Sequence, residues 1–342
     1  MAPTQKIASF VLLIGLGLLP AASAIAGPAL NPKCNIGKGV GAASVVYFDV
    51  NGNGVWNGTA GGDASAAINV AAGASTTIIG DWNDDGVDDA GTVVATNYSV
   101  DLNGNRVWNG NGGGDRNASF AIGGVGTPLV GKWGGAASLI GKYVADVFFL
   151  DVNGNGIWNG NAGGDLSTAF ASSVASGGIP IIGDFNGDGS DDIGKYVGTS
   201  FFIDLNGNHL WNGNAGGDRS TNFAASFGPG IPVIGNWDGV GGDEVGVFVG
   251  NTFYLDLNGN GIWNGTAGGD IASAFAAGVA PGGTPFACDL DADGDDDIGK
   301  VVGTTYFVDL NGNHIWNGNA GGDRSTNFAI GGVGTPDVGV WQ

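Results

Sequence analysis

The chain has 342 residues, with 11 basic against 32 acidic side chains, a formal net charge of −21, and 43% hydrophobic residues that include ten tryptophans and seventeen phenylalanines. Such acidity excludes nucleic acid and anionic membrane surfaces as partners held by charge, since both demand positive protein surface. The aromatic content excludes wholesale disorder, and the acids are clustered rather than dispersed, a pattern that suits cations.

In chain order, residues 1–26 read as a secretory signal: Lys6 supplies a positive start, Ile7 to Leu19 an apolar run, and Ala24-Ile25-Ala26 a small-x-small cleavage site before Gly27. The apolar run falls short of the roughly 20 residues that span a bilayer. The expected mature chain, 27–342, carries ten basic against 32 acidic residues, a net charge of −22. Cys34 and Cys288 are the only cysteines. In an oxidising compartment they form one disulfide or stay two unrelated buried thiols, and both readings stand.

From residue 35 onward the chain repeats itself. The phrase FIDLNGNHLWNGNAGGD at 202–218 recurs at 47–63, 99–115, 149–165, 254–270 and 307–323, a spacing of 50 to 53 residues. A fixed period of that size marks an array of supersecondary units, none able to bury its apolar face alone. Within one unit, IPIIGDF (179–185), DIGKYV (192–197), SFFIDL (200–205) and TNFAASF (221–227) read as four short strands separated by Gly/Asn/Asp turns. Four strands per repeat of about 50 residues is the pattern of a β-propeller blade. The first repeat starts at its second strand, and the chain finishes with TPDVGVW (335–341), a first strand with nothing after it. The expected fold is therefore all-β, a closed six-bladed propeller forming one domain over 27–342, with the C-terminal strand completing the N-terminal blade and leaving no open edge. Because strands alternate in direction, the loops joining strands one to two and three to four emerge on the same face.

Both loop types offer oxygen ligands at alternate positions, with glycines permitting sharp turns, which is what calcium requires. The one-to-two loops give Asp81, Asn83, Asp85, Val87 (through its carbonyl) and Asp89; then Asp184, Asn186, Asp188, Ser190 and Asp192; then Asp289, Asp291, Asp293, Asp295 and Asp297. A fourth copy, Asn236, Asp238 and Glu244, has Val240 at the fifth position, and a fifth, beginning Lys132-Trp133-Gly134, has lost the set. The competing reading is a side-chain-bonded turn without metal. The phrase GDFNGDGSDDIGKYV in strand-loop-strand context resembles the FG-GAP/VCBS-type repeats of the integrin-α-like β-propeller superfamily, in particular its bacterial secreted branch. The resemblance covers about 35–342 and implies structural Ca²⁺ in the one-to-two loops and a role in adhesion, ligand binding or display. Integrin propellers have seven blades where this sequence supports six, and the literal Phe-Gly…Gly-Ala-Pro signature is absent.

The three-to-four loops carry one close carboxylate each: Asp49 with Asn51, Asn53 and Asn57; Asp101 with Asn103, Asn105 and Asn109; Asp151 with Asn153, Asn155 and Asn159. The remaining three are Asp204 with Asn206, Asn208 and Asn212; Asp256 with Asn258, Asn260 and Asn264; and Asp309 with Asn311, Asn313 and Asn317. They are either weak calcium loops or asparagine turns held by their own side-chain bonds.

Each three-to-four loop also holds one tryptophan, Trp56, Trp108, Trp158, Trp211, Trp263 or Trp316, expected to seal neighbouring blades rather than to stack on sugars. His209 and His314 share a loop position filled elsewhere by Gly54, Arg106, Gly156 and Gly261, which points to a positive φ and to loop filling. No Ser/His/Asp set is present. The expectation is a secreted, calcium-stabilised binding or adhesion module for an extracellular glycan or protein, not an enzyme. The alternatives are a self-assembling cell-surface structural protein and a polysaccharide-active enzyme.

Overall fold

In the computed structural model the described residues are 34–341 apart from 41–44, 69–74, 329 and 331–333. The export signal expected at 1–26, and the start of the expected mature chain, lie outside them. Among the described residues, twenty-four strands form six four-stranded antiparallel sheets. Blades 2 to 6 are continuous in sequence, spanning 76–119, 127–168, 179–221, 231–274 and 284–327. Blade 1 is composite: Thr335–Gly339 pairs with Asn35–Val40, Val338 facing Ile36, so the last strand completes the first blade as expected. The first strands surround the axis, each packing against the first strands of both neighbours, and this closes the ring. The fourth strand departs from the reading. In blade 4 it is Arg219–Thr221 rather than 221–227, because Ala224 N bonds to Thr199 O and turns the chain after Thr221, so Phe223 is buried from a turn.

The core lies between blades, in six clusters that each join two adjacent sheets, such as Trp237, Phe253 and Phe275 of blade 5 with Ile298 of blade 6. The loop tryptophans sit at these seams. Trp56 packs edge-on against Tyr47 of its own blade and Phe328 of blade 6, and Trp211 against Phe202 and, across the seam, Phe170. The residues that follow each first strand, Trp82, Trp133, Phe185, Trp237, Leu290 and Trp341, are all buried. The loop tryptophans therefore pack at the seams as the sequence led us to expect, and the second set lies in the core beside them.

Among the described residues no strand ladder crosses from one sheet to the next, so other groups hold the seams. A carboxylate just before the second strand reaches back to the preceding blade and accepts a backbone N–H there: Asp191 Oδ2 from Lys132 N at 2.7 Å, Asp243 Oδ2 from Asp184 N at 2.8 Å, Asp296 Oδ2 from Asn236 N at 2.9 Å and Asp88 Oδ2 from Val340 N at 2.9 Å. The backbone N–H of the same residue donates to the carbonyl of the residue it clamps, for example Asp243 N to Asp184 O at 2.7 Å. At the seam from blade 3 to blade 2, Ser138 Oγ serves instead, accepting from Asp81 N at 3.1 Å. At the closing seam the same position is Cys34. Its N–H donates to Asp289 O at 3.0 Å, and its sulfur is bonded to Cys288, with the two Cα atoms 6.1 Å apart. The disulfide thus takes the place of the sixth side-chain clamp. Deeper in the seams, the ammonium groups of Lys38, Lys142, Lys195 and Lys300 are buried and donate to carbonyls at the end of the preceding repeat, as Lys300 Nζ does to Ala280 O at 2.7 Å. Burial lowers the pKa of Lys38, Lys142 and Lys300.

The blades also alternate in pairs. Blades 2, 4 and 6 open their fourth strand with Arg116, Arg219 and Arg324, where blades 1, 3 and 5 have Ala64, Leu166 and Ile271. Each arginine donates to the next blade's loop, at Gly154 O, Gly259 O and Gly52 O, from 2.9 to 3.1 Å. A Cβ on Gly156, Gly261 or Gly54 would lie 2.6 to 3.1 Å from that arginine's Cδ, which is why the odd-numbered blades keep glycine there. The even-numbered blades place Arg106, His209 and His314 at that position with φ of 58 to 61°. The left-handed backbone is as expected, but these side chains do more than fill a loop: Arg106 donates to Trp341 O, and His314 stands against Trp237 of the preceding blade.

Two stability outcomes follow. Asp243→Ala leaves Asp184 N–H without its acceptor and should lower the unfolding free energy by about 1–3 kcal/mol, read as a lower melting temperature. Cys288→Ser opens a covalent loop of 254 residues, worth ~5 kcal/mol in the chain-entropy account. Its amide exchange should accelerate first at Asn35–Val40 and Thr335–Gly339.

Candidate functional site

The two loop types meet inside each blade. The carboxylate that opens the second strand and the aspartate that closes the third lie side by side, because Asp101 N bonds to Ala90 O, Asp204 N to Ile193 O, Asp256 N to Val245 O and Asp309 N to Ile298 O, each at 3.0 Å. This juxtaposes Asp89 with Asp101, Asp192 with Asp204, Glu244 with Asp256 and Asp297 with Asp309, all buried. The two families of loops read separately from the sequence are therefore halves of one acidic site in blades 2, 4, 5 and 6.

In the one-to-two loops the first aspartate folds the chain around itself. Asp81 accepts from Asp85 N and Gly86 N at 3.1 and 3.0 Å, and Asp184 accepts from Asp188 N and Gly189 N at 3.0 and 2.9 Å. Asn83 and Asn186 Oδ1 each accept from the residue two further on, and Asp85 and Asp188 Oδ1 do likewise toward Val87 and Ser190. In blade 6, oxygens of Asp289, Asp291 and Asp297 converge within 4.8 Å of one another, with Asp293 and Asp295 continuing the turn. Blade 5 keeps the turn through Asn236, Asp238 and Val240 N, and Glu244 Oε2 accepts from Trp237 N at 2.8 Å.

The three-to-four loops are knitted by asparagine. Asn51 Nδ2 donates to Asp63 Oδ1 and Gly61 O, and Asn53 and Asn57 bond to each other. The same network links Asn103, Asn105 and Asn109 to Asp115; Asn153, Asn155 and Asn159 to Asp165; and Asn206, Asn208 and Asn212 to Asp218. It recurs for Asn258, Asn260 and Asn264 with Asp270, and for Asn311, Asn313 and Asn317 with Asp323. Most of the asparagine oxygens accept within the loop, so these residues build the turn, and the leading aspartate is the group left facing the acidic pair.

A regularity separates the blades. Where an acid opens the second strand, the Oδ1 atoms of Asp101, Asp204, Asp256 and Asp309 are buried and make no well-formed hydrogen bond, their nearest donors being the backbone N–H groups of Asn105, Asn208, Asn260 and Asn311. In blades 1 and 3 that acid is replaced by Asn35 and Leu139, and both oxygens of Asp49 and Asp151 accept backbone N–H groups. Asp89 Oδ2, Asp192 Oδ2 and Asp297 Oδ1 are orphaned as well, and blade 6 adds Asp295 Oδ1 and Asn311 Oδ1. A buried polar atom without a partner is costly, and here such atoms collect on paired acids. Burial first, and then each other's charge, push Asp89 and Asp192 up to about 8 and Asp297 to about 9. Burial lifts Glu244 to about 8, Asp101, Asp204 and Asp256 to about 6, and Asp309 to about 7. A glycine of the facing loop roofs the acids of each of these blades: a Cβ on Gly104 would lie 3.3 Å from Asp89 Oδ1, one on Gly207 3.3 Å from Asp192 Oδ1, one on Gly259 3.6 Å from Glu244 Oε1, and one on Gly312 3.2 Å from Asp293 Oδ2 in the acidic loop of blade 6. Hard oxygen donors, orphaned and buried under a close glycine roof, fit a divalent cation of the calcium type.

The clamp residues Asp88, Asp191, Asp243 and Asp296 and the paired arrangement of the two loops escaped the sequence reading. The doubled acid in Asp191-Asp192 was the visible signal, one carboxylate facing the neighbouring blade and the other its own.

No protein-family model matches the chain, and no curated protein matches it. Among solved structures, an Agrocybe aegerita lectin, described by its specific recognition of non-reducing terminal N-acetylglucosamine, aligns over 77% of this chain and 84% of its own, at 16% identity and a TM-score of 0.47. A likeness at that level carries no argument about function.

In cation-free protein the raised carboxylates hold protons in the folded state that the unfolded chain has lost. Their contribution to stability is full below about pH 4, the unfolded value, and disappears as pH rises through the folded values of about 6 to 9. The melting temperature in chelator should therefore fall steadily from pH 5 to pH 9. A flat or rising profile would contradict the shared burial of these pairs.

Proposed function

We propose that this chain is an extracellular binding protein whose propeller is stabilised by Ca²⁺ held in the acidic pairs of blades 2, 4, 5 and 6. The supporting observation is that the acids closing the third strand keep an unpartnered buried oxygen in those four blades and not in blades 1 and 3. Asp81, Asp85 and Asp89 with Asp101 would hold the ion in blade 2, Asp184, Asp188 and Asp192 with Asp204 in blade 4, and Asp289, Asp291 and Asp297 with Asp309 in blade 6. Blade 5, with Glu244 and Asp256, offers fewer acids and the weakest site. The ion would supply positive charge to carboxylates that otherwise share protons. This extends the likeness to FG-GAP/VCBS-type repeats, and the reading of residues 1–26 as an export signal places the protein where calcium is abundant.

Binding is assigned to the face that carries the long loops. Each of its six three-to-four loops exposes one aliphatic side chain, Val55, Val107, Ile157, Leu210, Ile262 or Ile315, at 45 to 57% exposure. Apolar groups repeated around one face suit a protein or glycan partner met at several points. The same repetition favours a second reading, association of copies through this face. Neither reading assigns catalysis, since the carboxylates of the paired sites are committed to repeated loops.

Calcium added to chelated protein should raise its stability by RT ln(1 + [L]/Kd) per site, about 2.7 kcal/mol at a hundredfold excess over Kd. Calorimetric titration should count three or four ions, and Asp297→Asn should remove one. Blade 3, with Leu139, serves as the internal control. An unchanged melting curve would end the cation reading, and calcium-dependent growth in light scattering would favour self-association.

A further inference from the structure

The seams from blade 2 to blade 3 and from blade 6 to blade 1 are built from equivalent positions, yet they differ in what they enclose. At the blade 6–1 seam the space beneath Arg324 is about 20 Å³, room for a single water. At the blade 2–3 seam the matching space beneath Arg116 is about 230 Å³. Three substitutions account for the difference. Thr326, whose hydroxyl bonds to Gly54 O, is matched by Ala118. The disulfide-bonded Cys34 is matched by Ser138. Asn35, whose side chain stands against Gly52, is matched by Leu139. The cavity is larger than the roughly 150 Å³ space that accommodates benzene in an engineered core.

Its chemistry is one-sided. The walls are aliphatic, with Val100, Leu102, Leu139 and Ile140. The polar groups that remain available are chiefly donors. Trp82 lines the cavity, is 6% exposed, and its Nε1, like that of Trp133, has no acceptor, whereas Trp237 and Trp341 spend theirs on backbone carbonyls. Arg116 uses Nη1 on Gly154 O and keeps its other N–H groups. Ser138 Oγ accepts from Asp81 N and retains its own hydrogen. A sugar needs acceptors as well as donors, because each hydroxyl also donates. A small apolar acid needs only donors at one end and hydrocarbon at the other.

We infer that the blade 2–3 seam is a binding site for one small apolar monocarboxylate of about the size of phenylacetate. Its carboxylate meets Arg116 and Trp82 Nε1, and its body lies against Leu102, Leu139 and Ile140. Arg116 also stands within electrostatic range of Asp151, so the site takes a single negative charge rather than a dianion. It borders the candidate cation loop of blade 2, since Trp82 follows Asp81 in that loop and Ser138 Oγ accepts from Asp81 N, while blade 3 itself has lost the acidic loop.

The test is isothermal titration of the purified chain with phenylacetate, with phenylacetamide as the neutral isostere. One phenylacetate should bind per chain, and phenylacetamide at least tenfold more weakly. Arg116→Met should weaken phenylacetate at least tenfold. Ala118→Thr restores the residue found in blades 4 and 6, so it should fold, raise the melting temperature and abolish binding. Absence of binding by the unaltered chain at millimolar phenylacetate would overturn the proposal. So would undiminished binding by Ala118→Thr, and equal affinity for phenylacetamide would remove the carboxylate assignment.

Discussion

The ring depends on what joins one sheet to the next. Inside a blade, backbone ladders satisfy the strands. Between blades the contact is mostly of side chains, and the seams would be greasy slabs free to slide were it not for directional bonds at their edges. The clamp carboxylates provide these, each accepting a backbone N–H of the preceding blade while its own N–H returns the bond. The buried lysines fix the seams from deeper within. Such bonds have fixed reach, so they set the spacing and angle between neighbouring blades as well as their adhesion. The closing seam is special because its two sides come from opposite ends of the chain. There the loop entropy of joining them is greatest, and the clamp is replaced by a covalent bond between Cys34 and Cys288.

The clamp and the candidate cation site are neighbours in sequence, Asp191 beside Asp192 and Asp296 beside Asp297. One residue looks across the seam and the next looks into its own blade, as alternating residues of an extended chain must. Whatever fixes the inward acid therefore also fixes the backbone on which the outward clamp is mounted. Stabilisation at a loop on the rim is transmitted in this way to the contact between blades. Acid-rich loops in this chain thus belong to the architecture as well as to its surface chemistry.

Much of this was legible beforehand, for physical reasons. The period gave the blade, the mismatched ends gave closure, and invariance of the loop tryptophans and the burial of residues such as Trp237 followed from packing. The fourth strand was placed late because Phe223 is apolar and reads as strand, while its burial comes from a turn anchored on Thr199 O. The pairing of Asp192 with Asp204 was invisible because it depends on how two strands register, which no local pattern states. The lysines were passed over because a single Lys in DIGKYV reads as a solvated edge, and only the neighbouring blade's carbonyls make its burial tolerable.

The two-blade alternation explains how a near-identical array acquires an individual site. Wherever Arg116, Arg219 or Arg324 crosses a seam, the next loop must carry glycine to admit it, so side-chain volume on one blade is matched by its absence on the next. That matching pairs a large residue on one blade with a small one on the next at the arginine contact itself. Loss of volume at one position is then felt only locally, provided the directional bonds remain. At the blade 2–3 seam Ser138 still accepts from Asp81 N, and Arg116 still donates to Gly154 O, so the clamp and the arginine contact survive. What has gone is the acid at Leu139 and the threonine at Ala118, neither of which holds the ring. A repeat protein can hollow one seam in this way without opening it, because the bonds that hold the seam and the atoms that fill it are different groups.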